Sequence, residues 1–246
     1  MNKAETAFCI NLAEHKEKWD AASTALAEHG FTKVERLDAV KGREIKDLAD
    51  VPVSLYSRYL LKNPKKRCAH EQLNSLGAIG CTLSHVQCWK MILDRGLPGA
   101  FVFEDDIKFV DDFNNAFSRY EKLPSEIELF SFGYWRIRGE SEKVGIYRKA
   151  SLFIGTNGYY VTKEGARKLL ENAFPIEIHV DAYIALMGIE KRINLAFSEK
   201  VLIAQDVSWG SSVAAGGNWK CMVNEKSALI VITLVLVLFI ISHLLR

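Results

Sequence analysis

Four apolar residues, Ala100 to Phe103, run directly into three consecutive carboxylates, Glu104, Asp105 and Asp106. A short apolar run with no polar alternation predicts a strand covered on both faces, as in the interior of an α/β sheet. Three like charges at its tip repel one another. Ligands of open α/β sheets bind at the carboxyl ends of the strands, so the acids fall where a bound group would sit. A hard divalent cation such as Mg²⁺ or Mn²⁺ relieves such repulsion and bridges to phosphate oxygens. An exposed acidic turn ahead of a helix explains the same residues without a ligand.

The flanking pattern alternates. Apolar runs at Ala7–Leu12, Thr32–Leu37, Glu128–Phe132 and Gly158–Thr162 read as strands. Helical spacing marks residues 14–28 (Trp19, Ala22 and Leu26, with Gly30 after the end), 82–94, 112–121 and 163–172. Residues 50–75 read as irregular, and the register of the helix after Ile176 is open. The predicted class is α/β with a mostly parallel sheet flanked by helices.

In a βαβ unit the helix before a strand starts at the edge where that strand ends. The sequence GCTLSH, Gly80 to His85, is expected to be that start. Free backbone N–H groups there, with the Thr82 and Ser84 hydroxyls, would face an anion, and His85 could bond a phosphate or sugar. Thr82 as an ordinary N-cap is the competing reading.

The 18 residues from Ala228 to Leu245 carry no formal charge unless His243 is protonated, with Lys220 and Lys226 on one side and Arg246 on the other. A helix needs about 20 apolar residues to cross a bilayer. The start of the chain shows no signal-peptide pattern. The expectation is a single C-terminal tail anchor with the preceding part cytosolic. This gives a domain at 1–217, a linker at 218–227 and the anchor at 228–245. Five scattered cysteines, odd in number and without CxxC pairing, fit reduced thiols. A net charge of +2 offers no field for nucleic acid.

Six segments in order, INL at 10–12, RLDAVKG at 36–42, GCTLSH at 80–85, FEDD at 103–106, GYYVTKEGARKLL at 158–170 and PIEIHVDAY at 175–183, resemble glycosyltransferase family 25 over roughly residues 7–210. That family includes lipooligosaccharide and collagen galactosyltransferases. The resemblance implies a GT-A fold, a nucleotide-sugar donor (usually a UDP-sugar), Mn²⁺ or Mg²⁺, and inversion at the anomeric carbon. Glu104-Asp105-Asp106 matches the family's variant of the DxD motif. Asp106 and Asp105 are then the expected metal ligands. Asn11, Ala39, Val40, Ser84, His85, Glu104 and Asp105 are the expected donor contacts. Two departures stand out. The family usually has arginines after INL, where this chain reads Glu14-His15-Lys16-Glu17-Lys18, and an acid where this chain has Lys41.

An inverting transfer needs a base for the acceptor hydroxyl. Asp181, in the matching HVDAY stretch, is the expected base, with a helix-cap role as the rival; His179 and Asp206 are weaker candidates. Thr156-Asn157-Gly158 could touch the sugar or form a plain turn. Trp135 and Trp209 could stack on sugar or pack. Lys62–Arg67 is a solvated basic loop or a headgroup contact. The expected function is transfer of galactose or glucose to a glycan, glycolipid or protein hydroxyl. The alternative is a membrane-anchored scaffold or sugar-binding protein without activity. A phosphatase with an Asp105 nucleophile fails, because it needs a second acid at position 107, which is Ile.

Overall fold

The computed structural model describes residues 1–210. The elements run β1 (Thr6–Asn11), α1 (Lys16–Glu28), β2 (Lys33–Asp38), α2 (Leu55–Lys62), α3 (Leu76–Asp94), β3 (Gly99–Glu104), β4 (Ile107–Phe109) and α4 (Phe113–Ser118). They continue with β5 (Leu129–Gly133), β6 (Arg136–Val144), β7 (Tyr147–Ile154), β8 (Gly158–Thr162), α5 (Lys163–Asn172), α6 (Val180–Ile189), β9 (Leu195–Ser198) and β10 (Ile203–Gln205). Eight strands form one mixed sheet in the order β2-β1-β3-β8-β5-β9-β7-β6. All point one way except β8 and β7. Strands β4 and β10 pair separately, antiparallel.

Strand β3 is buried on both faces, as its composition predicts. Successive side chains of a strand point to opposite sides. Ala100 and Val102 meet Trp89 of α3, Leu169 of α5 and Ile184 of α6. Phe101 and Phe103 join Phe31, Phe113, Phe117 and Phe132 in an aromatic layer that includes Leu26 of α1. Edge-to-face contacts recur in that layer, with Phe31 at 5.0–5.1 Å from Phe101 and Phe103. Helices on both faces force the strand tips to be the accessible edge. Parallel pairing of β2, β1 and β3 brings Asp38, Asn11 and Glu104 to that same edge.

Helix α3 starts six residues before the expected Thr82. Ser75 is its N-cap, accepting the Ala78 N–H at 3.1 Å. Gly42 and Gly80 serve a close approach. A Cβ on Gly80 would lie 2.4 Å from the Val40 carbonyl, and one on Gly42 would lie 1.9 Å from the Leu76 carbonyl. The turn after β2 is therefore pressed against the first two turns of α3. The segment 50–75, expected to be irregular, contains α2, capped by Ser54. The β6–β7 hairpin and the β4–β10 pair have no counterpart in the sequence reading. Among the described residues no helix is long and apolar enough to cross a membrane. The apolar run 228–245, the linker and the domain boundary at 217 lie outside the described residues.

Gly42→Ala should separate the turn from α3. Overpacking of this kind typically costs about 1–3 kcal/mol, and urea denaturation should show at least that loss.

Candidate functional site

A pocket of about 580 Å³ opens at the edge where β1, β2 and β3 end. Its floor is the acid triplet, and each acid has a different set of partners. Glu104 accepts the Thr156 hydroxyl at 2.6 Å, and its backbone N–H bonds the Asn157 carbonyl at 3.3 Å. Asp105 accepts the Asn11 amide at 2.7 Å and lies 3.8 Å from the Lys18 ammonium. Asp106 accepts the Gln205 amide at 3.0 Å, while its carbonyl accepts the Asp206 N–H at 2.6 Å.

Lys18 is buried, in helical register with the buried Ala22 and Leu26. A lysine at a core position of α1 is the signal that the sequence reading passed over, and its charge answers Asp105. Asp106 is only 6% exposed. Burial, followed by the charge of Glu104, pushes its carboxyl up to about 7. Asp105 is also raised, by burial, against the pull of Asn11 and Lys18. The Oδ1 of Asp106 is buried and has no hydrogen-bond partner. That unsatisfied hard oxygen beside a second carboxylate fits a hard divalent cation. Asp105 fits such a cation less well, because Asn11 and Lys18 already occupy it.

Helix α3 contributes differently from expectation. Gly80 to Ser84 lie inside the helix, so their N–H groups are not free for an anion. The Thr82 hydroxyl bonds the Ala78 carbonyl at 3.1 Å and does not cap the helix. The Ser84 hydroxyl donates to Gly80 at 2.7 Å and accepts the Val40 N–H at 2.9 Å. Ser84 thus holds the Ala39–Val40 turn, which lines the pocket. His85 is fully buried within the helix and lines the same pocket. Its Nδ1 sits 2.9 Å from the Tyr159 hydroxyl, which accepts Trp89 Nε1–H at 3.0 Å. Its Nε2 lies 3.8 Å from Glu104.

One residue from each departure from the family pattern, Glu14 and Lys41, form an ion pair. Lys41 Nζ is 2.9 Å from Glu14, and Arg43 also pairs with Glu14, all at the pocket rim. The Lys41 ammonium holds the Glu14 carboxyl below the usual carboxylate range.

The remaining candidates are dispersed. Asp181 does not line this pocket. Its Oδ2 accepts the Gly155 N–H at 2.9 Å and its Oδ1 the Ala182 N–H at 2.7 Å, so it ties α6 to the loop that carries Thr156. His179 stacks on His70 with ring centroids 6.2 Å apart. Asp206 caps a short turn through Ser208 at 3.0 Å. Trp209 lines the pocket, and Trp135 is exposed outside it. In the basic stretch, Arg67 is bound to the Gln72 and His70 carbonyls at 2.8 Å, so it braces its own loop.

Residues 4–146 match the family described as glycosyltransferase family 25 (LPS biosynthesis protein). A glycosyltransferase 25 family member of Drosophila pseudoobscura pseudoobscura is 32% identical over 211 residues, covering 80% of this chain and 32% of that protein. Procollagen galactosyltransferase 2 of Homo sapiens is 27% identical over 192 residues, covering 73% of this chain and 30% of that protein. A Bos taurus protein named probable inactive glycosyltransferase 25 family member 3 is 29% identical over 195 residues, 73% of this chain and 31% of its own length. The chain thus spans about a third of the length of these curated relatives.

The raised Asp106 carboxyl has a consequence for stability. Its folded pKa, about 7, exceeds the ordinary 3.8, so the folded state binds more protons and loses stability as pH rises between those values. In metal-free protein near pH 7.5, Asp106→Asn should raise Tm by roughly 2–8 °C, about 1–2 kcal/mol. It should also flatten the dependence of Tm on pH over that window. A lower Tm than wild type by calorimetry would refute the buried-charge account.

Proposed function

The chain belongs to glycosyltransferase family 25, and from that membership we propose that it transfers a hexose, galactose or glucose, from a UDP-sugar to a hydroxyl of a glycan, glycolipid or protein. The proposal includes a GT-A-type fold and inversion at the anomeric carbon. The observation that carries it is the unpartnered Asp106 oxygen on the floor of a pocket at the ends of three parallel strands. The pocket volume falls in the range of about 300–1,000 Å³ usual for small-molecule sites.

In this reading Asp106 holds Mn²⁺ or Mg²⁺, with Glu104 beside it. The ion would neutralise charge on the departing diphosphate. Lys18 offsets part of the burial cost of the Asp105 charge and helps fix its position. Asn11 orients Asp105, and the Ala39–Val40 turn, held by Ser84, forms the wall available to the nucleoside. His85 faces the donor from α3. Asp181 is the proposed base for the acceptor hydroxyl. A carboxylate has about four lone-pair sites, so its two backbone bonds leave it able to accept a further hydrogen bond. Its distance from the pocket lining favours a second role, in which it clamps Gly155 and so sets Thr156 against Glu104.

A second reading, a sugar-binding scaffold without turnover, draws on the relative named probable inactive. The run 228–245 further supports membrane attachment through the C-terminus; recovery of the full chain in the soluble fraction of lysed cells would oppose it.

Purified full chain should release UDP from UDP-galactose or UDP-glucose only with Mn²⁺, and Asp106→Asn should lose about 10²-fold or more. Asp181→Asn should cut kcat by ~10²–10⁴ at unchanged Tm if it is the base. As a clamp it should lower Tm and leave the rate per folded molecule within a few-fold. Tight UDP-sugar binding with no release at all would establish the scaffold reading.

A further inference from the structure

Cys81 and His85 are four residues apart on α3, one turn along the same face. Glu104 ends β3 opposite them. One potential ligand atom from each lies within 4.8 Å of the other two. His85 is 0% exposed, yet its Nε2 has no hydrogen-bond partner and lies 3.8 Å from Glu104. Native proteins rarely leave such a nitrogen unsatisfied without a reason.

The surroundings are those of a ligand set. Metal-bound histidines have their second ring nitrogen fixed by a hydrogen bond. Here Nδ1 meets the Tyr159 hydroxyl at 2.9 Å, and Trp89 in turn holds that hydroxyl at 3.0 Å. Glu104 is oriented in the same way by Thr156 at 2.6 Å. Cys81 and His85 both line the pocket, which gives an ion a path in.

We propose that Cys81, His85 and Glu104 form a three-ligand site for a thiophilic divalent cation of the Zn²⁺ class, with pocket water as fourth ligand, next to the hard-cation position at Asp106, which Glu104 borders on its other side. A thiolate with an imidazole and a carboxylate suits Zn²⁺, whereas Mn²⁺ and Mg²⁺ prefer oxygen alone. Zinc–ligand distances of about 2.0–2.3 Å put tetrahedral ligand atoms roughly 3.3–3.8 Å apart; His85 Nε2 and Glu104 are already at 3.8 Å, and no pair of the three has to close by more than about 1.5 Å. The charges balance, since one thiolate and one carboxylate neutralise the ion. On binding, the Cys81 thiol releases its proton to water. His85 coordinates through the Nε2 lone pair and carries its proton on Nδ1, donated to the Tyr159 oxygen. With Cys81 as a mere space-filler, the buried Nε2 of His85 has the Glu104 carboxylate at 3.8 Å and no hydrogen bond. The site shares His85 and Glu104 with the donor pocket proposed above, but its test reads metal binding without any sugar, so its failure is distinguishable from failure of the transfer reaction.

The test uses chelator-washed full chain titrated with Co²⁺ as a visible substitute for Zn²⁺. A thiolate-to-cobalt charge-transfer band with tetrahedral d–d absorption should saturate at a single equivalent. Zn²⁺ should abolish it, and about a hundredfold excess of Mn²⁺ should not. Cys81→Ser should lose the band, while Cys68→Ser, at an exposed thiol, should keep it. If Cys81→Ser does not fold, the wild-type protein still decides. Zn²⁺ at about ten times its Kd should slow alkylation of Cys81 by iodoacetamide roughly tenfold, read by peptide mass spectrometry. Absence of the thiolate band, its survival in Cys81→Ser, its displacement by Mn²⁺, or an unchanged alkylation rate would each overturn the assignment.

Discussion

Mutual repulsion of three adjacent carboxylates at one strand tip governs how the rest of this structure is assembled. Each acid is answered by a group from a different segment. Lys18 of α1 and Asn11 of β1 serve Asp105. Thr156, from the loop before β8, serves Glu104. Gln205 of β10 serves Asp106. The partners arrive from positions 11 to 205, so the site is assembled from segments distant in the chain. A buried lysine without its acid would be costly, and the acids without their partners would be costlier still. Among the buried oxygens of the three acids, the Asp106 Oδ1 is left without a hydrogen-bond partner, and that is where the local electrostatics ask for a cation.

Two-sided burial of β3 makes this arrangement rigid. The phenylalanine layer on one face and the Trp89 layer on the other leave no face of the strand free, so solvent and ligand reach it at its end. The glycine contact between the turn after β2 and α3 then narrows the edge into a pocket, because two backbones meet where side chains would hold them apart. The rim is charged in a self-compensating way. Glu14 binds both Lys41 and Arg43, so one residue from each departure from the family pattern joins the same interaction. Such an exposed pair shapes the entrance more than it stabilises the fold.

Family membership and activity are separate matters here, as on many folds. A relative named as a galactosyltransferase and another named probable inactive match the chain at similar identity. The polar chain Trp89–Tyr159–His85 ties the core to the pocket floor. It fixes one imidazole beside Glu104, so a change deep in the α3 layer would be felt where a ligand binds.

The amino-acid sequence by itself determined that β3 is an interior strand ending in acids, that helices cover both sides, and that the chain is related to family 25. These properties are local: an apolar run, a 3.6-residue period and short motifs at fixed positions. Tertiary structure alone decided the rest. Lys18 reads as one charge among several in Glu14–Lys18 until α1 packs and turns it inward. Gly80 reads as the start of a helix, yet it lies inside α3 with the backbone of the turn after β2 pressed against it. Gln205 reaches Asp106 only through the β4–β10 pairing, about a hundred residues apart in the chain. The partners of a charge depend on contacts distant in sequence, which no local period encodes. The acids were therefore legible in the chain, and what holds each of them became visible only in the fold.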